Sequence, residues 1–302
     1  MKEENRKTNF WSILWSYYKN EHVSQGLFAL GFFLFGSLYS SYLGYRINPS
    51  NLILGIFILL FYLLGMEFLN LIFLDDTELE RSFVVNFGAQ NFKLIFFLLA
   101  AAMIGAGLVI SIVRLDDQTS LFISGGIILT IFLYTVKPVR LIFSGYGEIL
   151  QAFLVAFLIP SLGYSIQVGG NVHYNLVYLC LPFYFLVLAH QYIMENKSLS
   201  RDIQKYRTTA VMRFGSEITL RIAIYLIVFS YIFMLLLGLS KLPWRFVVRW
   251  YISIPVAVYL IGHLNNILSG KKPNWALIDF LSNGLVWLNL LLMASALLFL
   301  WF

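Results

Sequence analysis

Charged side chains are scarce in this chain, in which only 12% of the 302 residues are Asp, Glu, Lys or Arg. Hydrophobic residues make up 60% of the sequence, and the mean hydropathy is +0.79. A typical soluble domain has about a quarter of its residues charged. The composition therefore excludes an ordinary water-soluble protein and predicts a protein of the lipid bilayer, for which we expect no nucleic-acid partner.

Cysteine is almost absent too, since Cys180 is the single residue of its type. One cysteine excludes an intrachain disulfide and a cysteine-ligated metal site. The first 21 residues also lack the apolar segment and small-residue cleavage site of a secretory signal peptide. We therefore expect the mature protein to begin at this N-terminus.

The sequence contains several long apolar runs. A hydrocarbon core of roughly 30 Å takes about 20 apolar residues per helix, and the alternating pattern of a barrel strand is missing. The sequence predicts an all-α, polytopic bundle of about nine transmembrane helices, formed by Gln25–Tyr45, Asn51–Leu74, Phe92–Val113, Ser120–Val136, Glu148–Val168, His173–Glu195, Glu217–Leu239, Val247–Leu268 and Ala276–Phe302. No repeat or linker divides the chain, so we expect an interfacial N-terminal segment, residues 1–24, and one membrane domain, residues 25–302.

The basic residues are unevenly divided between the two sides of such a bundle. If the N-terminus is cytoplasmic, the basic residues left for the opposite side are Arg46, Arg114, Lys241, Arg245 and Arg249. The remaining lysines and arginines, out of 21 in total, fall on the cytoplasmic side. Because cytoplasmic loops carry an excess of Lys and Arg, we expect a cytoplasmic N-terminus in a bacterial cell (inner) membrane.

Acidic residues are few, yet several crowd the cytoplasmic end of the second run: Glu67, Asp75, Asp76, Glu78 and Glu80. Asp76 and Glu80, four residues apart, share one face if the helix continues. Carboxylate oxygens are the ligands that Mg²⁺ prefers. Asp75, Glu67 and Asn70 are weaker candidates, the last two because a polar group inside the membrane is costly. The alternative is a solvated helix end balanced by Arg81.

Two further polar segments fall on the same side of the membrane. One follows the sixth run, and the other joins the fourth run to the fifth. Carboxylates there can hold a metal, while basic groups can neutralise a leaving diphosphate, although such bases also simply obey the positive-inside rule. The residues concerned are Glu195, Asn196, Asp202, Lys205 and Arg207 in the first segment and Lys137, Arg140 and Glu148 in the second.

Three motifs resemble those of the UbiA superfamily of intramembrane prenyltransferases, and most closely its menaquinone-type branch, which prenylates a dihydroxynaphthoate. The central loop and fifth helix of that family resemble Tyr134-Thr-x-x-Pro138, Gly145-x-Gly-Glu148 and Pro160-x-x-Gly163-Tyr-x-x-Gln-x-Gly169. The tail of its second aspartate-rich motif resembles Arg207-Thr-Thr-x-x-x-Arg213-Phe-Gly215, and Asn70-Leu-Ile followed by acids resembles its first. With nine runs, the resemblance covers nearly the whole chain.

The resemblance implies nine helices around a lipid-open cavity that binds Mg²⁺, an isoprenyl diphosphate and a lipophilic or aromatic acceptor used in quinone biosynthesis. The implied metal ligands are Asp76, Glu80, Glu195 and Asp202, of which Asp76, Glu80 and Asp202 are the catalytic candidates. The implied diphosphate-binding residues are Lys137, Arg140, Lys205 and Arg207. Asn196 and Glu148 are second-line candidates.

The motifs also depart from the family pattern. Ile72 and Phe73 stand where the first motif has Asn-Asp, and Ser198 stands where the second has its first aspartate. Ile142 and Ser144 replace the lysine and arginine that frequently follow the loop proline. These departures leave room for a UbiA-type terpene cyclase or a non-catalytic lipid or quinone binder. A transporter is less well supported, because the acids lie at helix ends and not at the membrane midplane.

Overall fold

A computed structural model describes residues 22–72, 89–114, 117–204 and 208–298 of the chain. These residues are mostly helical and contain no strand. The helices are α1 (His22–Tyr42), α2 (Pro49–Ile72), α3 (Ala89–Arg114), α4 (Gln118–Thr135), α5 (Gly147–Phe153), α6 (Ile159–Val168), α7 (Tyr174–Gln204), α8 (Ala210–Phe214), α9 (Ser216–Ser240), α10 (Trp244–Tyr251), α11 (Ile254–Leu268) and α12 (Trp275–Leu298). Most of the predicted N-terminal segment, residues 1–21, lies outside the described residues.

Each of the nine predicted runs coincides with a helix or with a pair of consecutive helices. Seven helices are long and apolar enough to cross a membrane, counting α5 and α6 as one, and the bent pair α10 and α11 makes up to eight. Helix α1 has an apolar length of 17 residues, Gly26–Tyr42, and packs between α6 and α12. The prediction of a polytopic helical membrane bundle is confirmed.

Local sequence signals set several helix ends. Asp117 caps α4, accepting hydrogen bonds from the backbone N–H groups of Thr119 at 3.1 Å and Ser120 at 2.9 Å. Helix α6 ends at Gly169, whose φ of 66° lies in the left-handed region that glycine adopts without strain. A chain that crosses a membrane repeatedly reverses its direction at each crossing, so successive spanning helices alternate in direction.

The alternation gathers one set of helix ends at the same end of the bundle. Helices α2, α4 and α7 end there, and α5 and α9 begin there. We call this the site end, because every described polar residue predicted as a site candidate belongs to it. Helix α5 continues through a single π-helical segment, Leu154–Leu158, into α6, and this rod packs against both α1 and α7. The core between these helices is apolar and tightly filled.

Candidate active site

Polar side chains that are buried at the site end line the facing sides of α5 and α7. On α5 they are Glu148 and Gln151, three residues apart, and on α7 they are Gln191, Glu195 and Ser198, at spacings of four and three. Such spacings place each set on one helix face. Because α5 packs against α7, the two sets belong to one polar surface inside the bundle.

The two buried glutamates of this surface lie around a common neighbour. Glu148 is 5% exposed and Glu195 is 9% exposed, and both carboxylates lie near the phenol of Tyr192. Ionised carboxylates are almost never buried unless a partner or a ligand compensates them. Glu148 and Glu195 thus place two acidic groups at the same inner end of the bundle.

A buried arginine enters the same region from the loop between α4 and α5. Arg140 adopts a left-handed conformation with φ of 36° and is 8% exposed. The guanidinium carbon lies 3.7 Å from the ring centroid of Phe143, a cation–π contact that fixes its orientation. Lys137, in the same loop, is exposed to solvent. Arg140 is thus the buried basic residue of this loop, and Lys137 is its exposed basic residue.

The loop docks on α8, so two of the predicted polar segments do meet. Arg213 donates from Nη1 to the backbone oxygen of Ser144 at 2.9 Å and stacks on the ring of Tyr146 at 4.5 Å. Gly145 has a φ of 74°, and a Cβ there would lie 3.2 Å from the backbone oxygen of Thr209. Close approach and left-handed conformation together explain the glycine of the sequence motif.

Several buried polar atoms at the site end have no hydrogen-bond partner among the residues that the structure describes. They include Oε2 of Glu148, Oε1 of Gln191 and Oγ1 of Thr209. An unsatisfied buried polar group costs roughly 1–3 kcal/mol, and native structures contain few of them. Unsatisfied polar atoms on a buried polar surface fit a binding site in which a ligand supplies the missing hydrogen bonds.

The other predicted site residues divide into three groups. Glu67 and Asn70 lie on the last turns of α2, half-buried, at the site end. Asp202 lies on α7, but its side chain is outside the described part of the structure. Outside the described residues altogether are Asp75, Asp76, Glu80, Lys205 and Arg207. The assignments of all these residues stay predictions.

Asn196 is held by hydrogen bonds between helices. Its Nδ2 donates to the backbone oxygen of Tyr192 at 2.8 Å and to Oγ1 of Thr219 at 3.0 Å, and its Oδ1 accepts from Ser216 at 2.6 Å. These bonds tie the end of α7 to the start of α9. In this arrangement Asn196 fixes the position of Glu195, one residue before it.

The described residues supply only part of a metal-binding set. They contain no group of three or more His, Cys, Asp or Glu side chains placed to hold a metal ion. What they offer is the pair Glu148 and Glu195, whose hard oxygen donors suit Mg²⁺. Further ligands for Mg²⁺ would have to come from the predicted residues whose side chains are not described.

Sequence reasoning did not single out Gln151 and Thr209. Gln151 accepts a hydrogen bond from the hydroxyl of Tyr134 at 3.3 Å, so it links the end of α4 to the polar surface. The signal was present for Gln151, because it lies one turn after Glu148 on an otherwise apolar helix. Thr209 is fully buried at the start of α8, and nothing in its sequence neighbourhood distinguishes it from the adjacent Thr208.

The fold and this buried polar surface define a class of protein: helical membrane bundles with a charged site at one end. Comparison with solved structures then identifies which fold of this class the chain has. A digeranylgeranylglyceryl phosphate synthase in membranes superposes with a TM-score of 0.65 at 16% identity, covering 92% of this chain and 99% of its own. A UbiA homologue from Archaeoglobus fulgidus bound to DMAPP and Mg²⁺ gives 0.58 at 14% identity, covering 91% and 99%.

The same homologue bound to GPP and Mg²⁺ gives a TM-score of 0.57, also at 14% identity, and covers 90% of this chain and 99% of its own. No family model and no curated protein sequence matches the chain. The likeness is thus one of structure, and it shows that this protein has the UbiA fold. The fold that the sequence motifs implied is confirmed.

Proposed function

We propose that this chain is a prenyltransferase of the UbiA superfamily that transfers a polyprenyl group from an isoprenoid diphosphate to an aromatic, quinone-precursor-like acceptor with Mg²⁺. The observation that carries the proposal is the pair of buried carboxylates, Glu148 and Glu195, at the end of the bundle that also holds buried Arg140. Neighbours in fold include a synthase of a digeranylgeranyl lipid and a homologue bound to prenyl diphosphates with Mg²⁺.

In such a reaction the bond between the allylic carbon and the diphosphate oxygen breaks, and its electron pair stays on the diphosphate. The acceptor attacks the allylic carbon and loses a proton. Arg140 would offset the charge that grows on the diphosphate, since a guanidinium matches phosphate oxygens geometrically. Glu148 and Glu195, with Asp76, Glu80 and Asp202, would hold Mg²⁺, which when bound neutralises diphosphate charge.

The acceptor class rests on the sequence motifs. The loop Tyr134–Glu148 and helix α6 carry the resemblance to the menaquinone-type branch, which uses a dihydroxynaphthoate. The buried acceptor atoms Oε2 of Glu148 and Oε1 of Gln191 suit a substrate that donates hydrogen bonds, as a phenol does. A phenolic acceptor is therefore the first to test.

The experiment is diphosphate release by the purified protein, given farnesyl or geranylgeranyl diphosphate with and without Mg²⁺, and with and without dihydroxynaphthoate or hydroxybenzoate. We expect release that requires both Mg²⁺ and an acceptor, and its loss in Asp76→Ala and Asp202→Ala. Release without acceptor and with a cyclic hydrocarbon product would replace prenyl transfer by cyclisation. No release with any donor would favour a lipid or quinone binder.

A further inference from the structure

The end of the bundle opposite the site end carries a second group of polar and aromatic side chains. Tyr39 and Tyr42 lie on the last turns of α1, His173 precedes α7, and Arg245 lies on the first turn of α10. We call these four residues the distal cluster. The Tyr39 and Tyr42 rings lie 5.5 Å apart, and Tyr39 lies 6.2 Å from the ring of His173, so the cluster is continuous. It takes no part in the proposed transfer reaction.

Arg245 is the charged member of the distal cluster. Its Nη2 donates to the hydroxyl of Tyr42 at 2.6 Å, and its guanidinium carbon lies 4.8 Å from the Tyr42 ring and 5.3 Å from the Phe246 ring. Its Nε–H is buried and has no acceptor in the described part of the chain, and none of the carboxylates there pairs with it. The guanidinium is thus held in place and keeps a donor for an anion from outside the chain.

His173 adds a second donor to the distal cluster. The backbone N–H of Asn175 donates to Nδ1 of His173 at 3.2 Å, and the Tyr39 hydroxyl lies 3.5 Å from the same nitrogen. Because Nδ1 accepts, the neutral ring carries its proton on Nε2. Nearby, Gln167 accepts from the backbone N–H of Asn48 through Oε1, which leaves its buried Nε2 as a donor without a partner. Donors therefore outnumber acceptors here.

The surroundings of Arg245 place it at the depth of lipid headgroups. On α10, Trp244 is 52% exposed, and Val248 and Ile252, one and two turns further on, are also exposed. Phe246 and Trp250, on the opposite side of α10, are buried in the bundle. Tryptophans are enriched at the membrane interface, so the first turn of α10, which carries Trp244 and Arg245, is placed at that depth. The anion nearest to Arg245 is then the phosphate of a lipid.

We propose that the distal cluster binds the phosphate group of a phospholipid from the leaflet at that end of the bundle. A phosphodiester presents two unesterified oxygens, which suit the fork of Arg245 and the Nε2–H of His173. The amide oxygen of Asn175, buried and without a donor, suits a hydroxyl of the same headgroup. Phosphatidylglycerol carries both groups and is the probe of choice.

The test is thermal unfolding of the delipidated protein in detergent, followed by the fluorescence of its seven tryptophans. A ligand that binds only the folded state raises the unfolding midpoint with its concentration. We expect phosphatidylglycerol to raise the midpoint and diacylglycerol, which lacks the phosphate, to leave it unchanged. Arg245→Gln should weaken the apparent affinity about tenfold or more, the size expected for losing charged hydrogen bonds.

Lys241→Gln is the matched control, because Lys241 is an exposed base at the same end of the bundle. Lys241→Gln should show the wild-type rise of the unfolding midpoint with phosphatidylglycerol. An equal loss of that rise in Lys241→Gln and Arg245→Gln would mean that surface charge alone explains it and would overturn the proposal. So would an unchanged response in Arg245→Gln. An equal shift with inorganic phosphate would mean a site for free anions and not for lipid.

Two milder variants keep the test decisive if Arg245→Gln does not fold. Tyr42→Phe keeps the ring but removes the hydroxyl that orients the guanidinium, and Arg245→Lys keeps the charge but removes the fork. Both should weaken the response to phosphatidylglycerol, and wild-type affinity in both would contradict the proposal. Diphosphate release by the same variants should match wild type, which separates this proposal from the proposed function.

Discussion

Glu148 is a candidate site residue that a sequence motif predicts and that the fold places inside the bundle. It lies in the first turn of α5, where the helix dipole favours a negative charge. It is nevertheless buried, and its Oε2 has no hydrogen-bond partner among the described residues. The Gly145-x-Gly-Glu148 motif marked it in the sequence. What the sequence could not show is that α7 brings Glu195 to the same place, because that proximity depends on how two helices distant in sequence pack.

Glu148→Gln removes the charge of this residue and keeps its shape. We expect diphosphate release to fall about tenfold to a hundredfold, the range that corresponds to losing one interaction with a charged group. The measurement is the initial rate of release at saturating farnesyl or geranylgeranyl diphosphate and Mg²⁺. The unfolding midpoint should not fall, since a neutral amide is easier to bury than a carboxylate.

Glu217→Gln is the control for that substitution. Glu217 is exposed at the start of α9 and pairs with Arg221 at 2.6 Å, one turn later. An exposed pair of this kind contributes little to stability, so release and unfolding should both stay at wild-type values. A wild-type rate in Glu148→Gln would remove Glu148 from the site, while an equal loss in both variants would point to a general effect of charge.

At the scale of elements, the bundle depends on a close crossing of α1 and α6. A Cβ at Gly36 would collide with the backbone oxygen of Pro160, and a Cβ at Gly163 would collide with that of Phe33. Ser37 fastens the crossing by donating to the backbone oxygen of Gly163 at 3.0 Å. Small residues allow this approach between helices in a membrane. Since α6 continues from α5, the crossing also sets the depth of Glu148.

Gly36→Ala and Gly163→Ala should each lower the free energy of unfolding by about 1–3 kcal/mol, because the added methyl group meets backbone that cannot rotate away. The measurement is the thermal unfolding midpoint in detergent. Gly284→Ala is the control, since no atom lies within 4 Å of a Cβ built at Gly284 in α12. Replacing a helical glycine there should leave the midpoint unchanged or raise it. Equal midpoints in all three variants would contradict a close crossing.

The hydropathy of the sequence did not predict the break between α10 and α11. The sequence predicted one continuous run, whereas the two helices meet at 45°. Ser253 at the break donates to Oδ1 of Asn289 at 2.9 Å and lies 2.6 Å from the Tyr231 hydroxyl. These buried bonds satisfy polar groups where the helix is interrupted, as a membrane interior requires. Their partners come from α9 and α12, so no local pattern could reveal them.

For the whole molecule, the sequence predicted the order of the apolar runs because lipid selects such runs directly. It predicted about nine spans, whereas seven to eight helices among the described residues are long and apolar enough to cross a membrane. The predicted division at residue 24 and the cytoplasmic N-terminus stay predictions. The predicted orientation rests on the distribution of Lys and Arg, which the packing of the helices does not reveal. The two ends of the bundle differ chemically, with buried carboxylates at the site end and Arg245 at the other, so orientation decides which side of the membrane supplies each ligand.

Lys241 and Lys272 test the orientation and the bent pair together, because α10 and α11 are the only helices between them. Helix α11 has 15 residues and is about 22 Å long, and α10 adds about 12 Å, which together suffice for a hydrocarbon core of roughly 30 Å.

We predict that in intact bacterial cells a membrane-impermeant maleimide labels Lys241→Cys but labels Lys272→Cys only after the membrane is opened. Buried Cys180 should contribute no background. The reverse pattern would invert the orientation, and labelling of both in intact cells would make the bent pair a re-entrant loop.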